Sequence, residues 1–258
     1  MSSEALVGED QRSLGFFGKL PTRGDFVSRQ LPRGFVEPWD TWLQGAIATS
    51  KDELGDKWLD YYLTWPIWHF VLGAGVCGQD QWCGVMMPSV DRVGRYFPIT
   101  VAANVGVDVG LFTLLTANHS WFSAIDEVLL AVLEEDAITP DELGERVLAM
   151  GRPTAVSGGT RDIAAASVKE PSDVINSRID ASETGLAVSL LFDAVISRRL
   201  QSCSLWWSNG SDHVAGGLSI ADGLPASAGF VAMMDGNWES AGWRVAGHIG
   251  DKRAGPDT

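Results

Sequence analysis

Seven residues in two separated segments carry the chemistry worth weighing. Ser89-Val90-Asp91-Arg92-Val93-Gly94-Arg95 sets two guanidinium groups around one carboxylate. Gly18-Lys19-Leu20-Pro21-Thr22-Arg23-Gly24-Asp25 adds Lys19, Arg23 and Asp25 between rigid Gly and Pro positions. Arginine forks hold carboxylates and phosphates through paired N–H bonds, so the chemistry on offer is anion recognition and orientation. Two roles are open for the second segment. Asp91 can cap turn amides while Arg92 or Arg95 pairs with a nearby carboxylate, with Asp25 a candidate. Alternatively, the Arg pair stands exposed and recognises a carboxylate or phosphate on a partner. The two are compatible if one Arg braces and the other binds.

Other spellings carry less. Gly73-Ala74-Gly75-Val76-Cys77-Gly78 matches GxGxxG, but a dinucleotide site needs a helix N-terminus directly afterwards. Here Gln79-Asp80-Gln81 leads into another strand-like run, so a hairpin turn is the better reading. Cys77, Cys83 and Cys203, with His69, His119, His213 and His248, lack zinc-ligand spacing. His69, inside Trp-His-Phe-Val, reads as a strand residue. Arg23-Gly24-Asp25 spells an adhesion tripeptide, yet a tight turn explains it. No nucleophile elbow, P-loop or paired-carboxylate motif is visible. These readings imply no cofactor and no metal.

The elements that must position these residues follow from periodicity. Leu14–Gly18 reads as a short strand. Phe35, Trp39, Trp42, Leu43, Ala46 and Ile47 share one helical face. Ser50-Lys51-Asp52-Glu53 has the form of a capping box that starts a second helix, and Trp65-Pro66 ends it. Residues 67–72, 82–87 and 99–103 read as strands, the first two joined by the Gly-rich turn. Trp121, Phe122, Ile125, Val128, Leu129, Val132 and Leu133 form the strongest helical stripe. Thr139-Pro140-Asp141-Glu142 is a further capping box, and its helix is expected to stop near Met150, before Gly151. Residues 151–185 read as an irregular connection with one short helix, and 186–200 as a helix. Residues 204–207 and 229–234 read as strands. In Trp206-Trp207 one indole is expected in the core and the other outward or in another layer.

This order predicts an α/β fold of the α+β type: a largely antiparallel sheet covered by helices, with a C-terminal α/β half packed against it. The expected division is a disordered tail over 1–13, an N-terminal domain over 14–137, a C-terminal region over 138–250 that can share the same core, and a tail over 251–258. The chain has 258 residues, 45% of them apolar, and 11 Trp, enough for a large core. Three Cys suit a reducing compartment. No basic-then-apolar leader and no apolar run of membrane-spanning length is visible, so a cytoplasmic location is expected. Net charge is −14 and uneven: residues 1–104 hold 9 basic and 12 acidic side chains, and 105–258 hold 10 and 21. Such a surface repels nucleic acid and anionic membranes. It suits solubility, or an acidic face that docks a basic protein.

Taken together, Gly15-Phe16-Phe17-Gly18-Lys19-Leu20-Pro21-Thr22-Arg23-Gly24-Asp25-Phe26, then Phe35 through Trp42, then Ser89 through Pro98 resemble the N-terminal region of the type VI secretion system-associated TagF family. The resemblance spans roughly residues 14–137. It implies a non-enzymatic cytoplasmic accessory protein that holds a contractile secretion machine off after translation. It implies action by binding, around the machine's forkhead-associated scaffold protein. Lys19, Arg23, Asp25, Ser89, Asp91, Arg92 and Arg95 carry over as motif positions for partner binding or loop bracing. Some members carry a fused phosphatase domain, for which this chain shows no matching pattern. Two other functions stay in view. A hydrolase would bring His213 or His248 beside a carboxylate and a nucleophile in a deep pocket. A structural subunit of the machine would be required for secretion.

Overall fold

The structure, a computed structural model, describes residues 13–107, 109–135, 137–154, 184–196 and 202–245. Most of the expected 151–185 connection, the end of the helix expected to reach residue 200, both tails and His248 lie outside the described residues.

Seven strands form one sheet: β1 (Leu14–Gly18), β2 (Val27–Arg29), β3 (Trp68–Leu72), β4 (Gln81–Met87), β5 (Ile99–Gly106), β6 (Cys203–Gly210) and β7 (Ala215–Asp222). Their spatial order is β2-β1-β5-β4-β3-β6-β7, and every neighbouring pair is antiparallel. β6 pairs directly with β3, so the C-terminal half joins the N-terminal half by extending its sheet.

Helices cover both faces, and strand alternation divides the core between them. Phe16, Val71, Val85, Val101 and Leu205 point to one face. There they meet Phe122, Ile125 and Leu129 of α4 (His119–Glu134) and Leu143 and Val147 of α5 (Pro140–Ala149). Phe17, Phe70, Met86, Ala102 and Trp206 point to the other. There they meet Phe35, Trp39 and Leu43 of α1 (Arg33–Leu54), Trp58 and Tyr62 of α2 (Trp58–Leu63), and Phe230 of α7 (Ser227–Asp235). Each large side chain buried in this way contributes about 1.5–3 kcal/mol. Trp39 lies against Phe35, Phe70 and Trp206 and donates its indole N–H to Thr100 Oγ1 at 3.0 Å. Most of the tryptophan density is therefore core. The remaining described helices are α3 (Leu111–Ala117) and α6 (Thr184–Ile196). Among the described residues, no helix is long and apolar enough to cross a membrane.

The α+β class and the main strands and helices agree with the sequence reading, as does the Thr139 capping box with both of its bonds. The Gly73–Gly78 segment is the β3–β4 turn, closed by Gly75 N–H to Gly78 O at 2.8 Å. Two expectations need correction, and three elements were not expected. Ser50 does not start a helix: α1 runs through it to Leu54. Its buried hydroxyl donates to Ile47 O and accepts the Trp58 indole N–H, both at 2.8 Å. The break comes at Gly55, with φ +53. Residues 229–234 are not a strand but lie in α7, which ends at Gly236 with φ +74. A six-residue apolar run fits a strand or a buried helix equally well, and length and capping decide. β2 and β7 were unexpected strands. β2 has only three residues, and β7 is an exposed, Gly-rich edge whose Leu218 and Ile220 face away from the core. α3 was also unexpected. Of the adjacent indoles, Trp206 enters the α1 side, and Trp207 enters the α4 side between His69 and Phe122.

Candidate functional site

Two glycines bring the charged segments together. Gly18 ends β1 with φ +144, and a Cβ there would lie 2.1 Å from the Pro98 carbonyl oxygen. At Gly15 a Cβ would lie 2.0 Å from the Arg29 carbonyl oxygen. Only glycine permits both approaches. Beyond Gly18 the chain turns, with Arg23 N–H donating to Leu20 O at 3.0 Å. It returns as β2 after Phe26. Phe26 stacks on Phe17 at 5.7 Å and meets Phe97 edge-on at 4.8 Å. The aromatic trio thus pins the first loop to the foot of the second.

The second loop joins β4 to β5 as a small hairpin. Val90 and Tyr96 form a bridge, Asp91 N–H donates to Arg95 O, and Gly94 N–H donates to Asp91 O, the latter two at 3.0 Å. Gly94 supplies the required φ of +85. The Asp91 carboxylate lies inside this loop, fully covered. It accepts backbone N–H bonds from Val93 at 3.0 Å and Arg95 at 2.9 Å, and the Arg95 Nε–H at 2.7 Å. It also accepts a short bond from the buried Lys19 ammonium. Burial opposes ionisation of Asp91. The Lys19 bond, then those from Arg95 and Val93, outweigh it and hold the carboxyl well below the usual carboxylate range. Lys19 is also seated 4.7 Å from the centre of the Phe26 ring, a cation–π contact.

Further bonds make the two loops one body. Arg92 N–H donates to Arg23 O at 2.9 Å, and Ser89 Oγ donates to Lys19 O at 2.8 Å. Arg95 also reaches the Gly24 carbonyl. From below, Tyr62 donates its hydroxyl to Ser89 O at 2.9 Å and accepts Ser89 N–H at 3.1 Å. Burial pushes the Tyr62 phenol well above its ordinary range. Thr22 Oγ1 donates to Ile138 O at 2.7 Å, which ties the first loop to the lead-in of α5.

The seven sequence-designated residues thus meet in one place and divide into two groups. Lys19, Ser89, Asp91 and Arg95 are tied into the brace. Arg23, Asp25 and Arg92 are exposed, and among the described residues their side chains make no hydrogen bond or ion pair. They line an open cleft of about 420 Å³ with Thr22, Phe26, Arg29 and Pro140. Arg29 is engaged by Asp141, at 3.0 Å from Nη2. Phe26 is 46% exposed at the cleft, and Val93 is 65% exposed at the neighbouring loop tip. The candidate pairing of Arg92 or Arg95 with Asp25 is corrected: Arg95 pairs with Asp91 of its own loop, and Asp25 points to solvent. The loop's backbone bonds draw Asp91, not Asp25, to the guanidinium.

Sequence reasoning did not designate Phe26, Tyr62 or Arg29. Phe26 was legible as an aromatic beside a charge cluster. Tyr62 sits in a distant helix and gave no signal. A His–carboxylate pair also escaped notice. His69 Nε2 lies 2.9 Å from both Asp126 oxygens, and Nδ1 lies 3.3 Å from Trp207 O. The ring is buried between Trp207 and Phe122, so the pair ties β3 to α4 inside the core. His213 packs edge-on against Tyr61 at 4.7 Å.

Comparison with known proteins follows the same segments. The TagF N-terminal domain family, type VI secretion system-associated, matches residues 15–150, which extends through α5. The crystal structure of PA0076 from Pseudomonas aeruginosa PAO1 is similar at 34% sequence identity and a TM-score of 0.72. The similarity covers 92% of this chain and 99% of that one. A search of curated proteins gives no match.

Proposed function

The chain belongs to the type VI secretion system-associated TagF family, and from that membership we propose that it represses secretion by binding a protein component of the machine in the cytoplasm. The reading is one of binding without catalysis. The observation that carries it is the division of labour in the two loops. Four charged or polar residues lock the backbone, and two arginines beside an exposed Phe26 and Val93 are left to meet a partner. A rigid mount lowers the ordering cost of association, and Arg with an aromatic anchor is a recurrent interface pairing. Asp91 is saturated by four donors and serves as a strut, not as a general base. The forkhead-associated scaffold of the machine is the partner that the family likeness suggests.

Deleting the gene and measuring release of the machine's substrates into the medium tests this. Release should rise, and resupplied R23A/R92A protein should fail to lower it while remaining folded. Loss of release on deletion would instead assign a structural subunit, and full repression by the double variant would remove the ledge, the joined two-loop body that carries Arg23 and Arg92, from the model.

A further inference from the structure

We propose, resting on the reading that this ledge binds a protein of the machine, that the cleft between Arg23 and Arg92 takes an acidic segment of that partner. Asp or Glu carboxylates sit on the two guanidinium groups, and an apolar neighbour lies against Phe26. Both arginines line the same cleft, both are exposed, and their backbones are joined by the Arg92 N–H to Arg23 O bond. Their spacing is therefore set before a ligand arrives. Neither has an acceptor among the described residues, whereas Lys19, Arg95, Arg29 and Arg146 each have a carboxylate. The planar guanidinium matches a carboxylate through two parallel bonds.

The remaining lining narrows the ligand. At about 420 Å³ the cleft is larger than one small anion, and Phe26, Val27 and Pro140 give it an apolar wall. Asp25 stands in the same cleft. It repels a compact dianion such as phosphate more than single carboxylates spaced along a peptide, which can seat away from it. The chain as a whole carries −14, so an acidic segment is repelled elsewhere and the arginine cleft fixes its register.

The test is fluorescence anisotropy of a labelled hexaglutamate peptide with the full chain at low salt, with hexaglutamine as the neutral control and inorganic phosphate as a second probe. Saturable hexaglutamate binding is expected, weakened at least tenfold in R23A/R92A, unchanged in R146A and lost at high salt. No hexaglutamate binding, or equal binding by R23A/R92A, overturns the proposal. Arg-dependent binding of phosphate without hexaglutamate makes this a small-anion site and also overturns it. The same double variant in the secretion assay separates the two readings. Lost peptide binding with intact repression upholds the acidic-segment site and removes it from repression. Relieved repression with no peptide binding by the parent protein upholds the ledge and overturns the acidic segment.

Discussion

The backbone N–H of Arg92 donates to the carbonyl of Arg23 at 2.9 Å, which joins loops at opposite ends of the N-terminal strand series. The bond uses main-chain atoms, so the ledge survives loss of both side chains. R23A/R92A should unfold within about 0.5 kcal/mol of the parent in denaturant titration, as surface substitutions usually do. A large loss of stability would show that these side chains brace the fold.

Asp91 predicts the opposite behaviour. Removing Lys19 as Lys19→Met leaves a buried carboxylate with less compensation and should cost about 3–5 kcal/mol. Asp91→Ala should cost a similar amount because it strands the Lys19 ammonium. The double variant should cost less than the two single losses combined. A sum of independent losses in a double-mutant cycle would show that the two groups do not interact.

The same carboxylate sets an acid limit. Its folded ionisation lies below the ordinary value and its unfolded ionisation near about 3.9. The contribution is therefore complete above about pH 5 and falls away as pH drops through the ordinary carboxylate range toward the native value. Denaturant titrations of the parent and Asp91→Asn should show a stability gap that narrows below about pH 4. A gap constant from pH 7 to 3 would contradict the assignment.

Glycines separate into two kinds. Gly18→Ala places a methyl 2.1 Å from the Pro98 carbonyl oxygen at φ +144 and should cost more than about 2 kcal/mol. Gly45 lies within α1 with nothing within 4 Å of its Cβ position, and Gly45→Ala should stabilise by about 1 kcal/mol. Thermal melts of the two variants should move in opposite directions.

Ser50→Ala tests the corrected helix boundary. It leaves the buried Trp58 indole N–H without its acceptor and should cost about 1–3 kcal/mol. Helicity by circular dichroism should stay unchanged, because Ser50 caps nothing. A drop in helicity would restore the cap.

The thiols should be silent in the native state. Burial raises Cys77 to about 12, and it also pushes Cys83 and Cys203 upward. Ellman titration should detect all three only on unfolding.

Periodicity made much of the architecture legible. The Phe35–Ile47 face and the Trp121–Val132 stripe each state a helix over about three turns of chain, and the Thr139 capping box does so within one; Leu133, expected on the stripe, is exposed. Where signals were short, length and neighbours decided. The run at 229–234 folds as a helix because α7 packs on α1 and Gly236 caps it. Ser50 caps no helix because α1 runs through it, and its oxygen instead takes the indole N–H of Trp58, about two turns further on. β7 was invisible because an exposed edge strand needs no apolar alternation.

For the site, composition and local order alone determined that two Gly- and Pro-framed segments hold Lys19, Arg23, Asp25, Ser89, Asp91, Arg92 and Arg95, and left bracing and binding open between them. Tertiary structure decided which side chains brace the loops and which stand exposed. Gly18 lets β1 and the β4–β5 loop touch, and burial then selects the one carboxylate that four donors can reach. Ion pairing inside a protein depends on distance and desolvation across the fold, and neither is written in the spacing of residues along the chain.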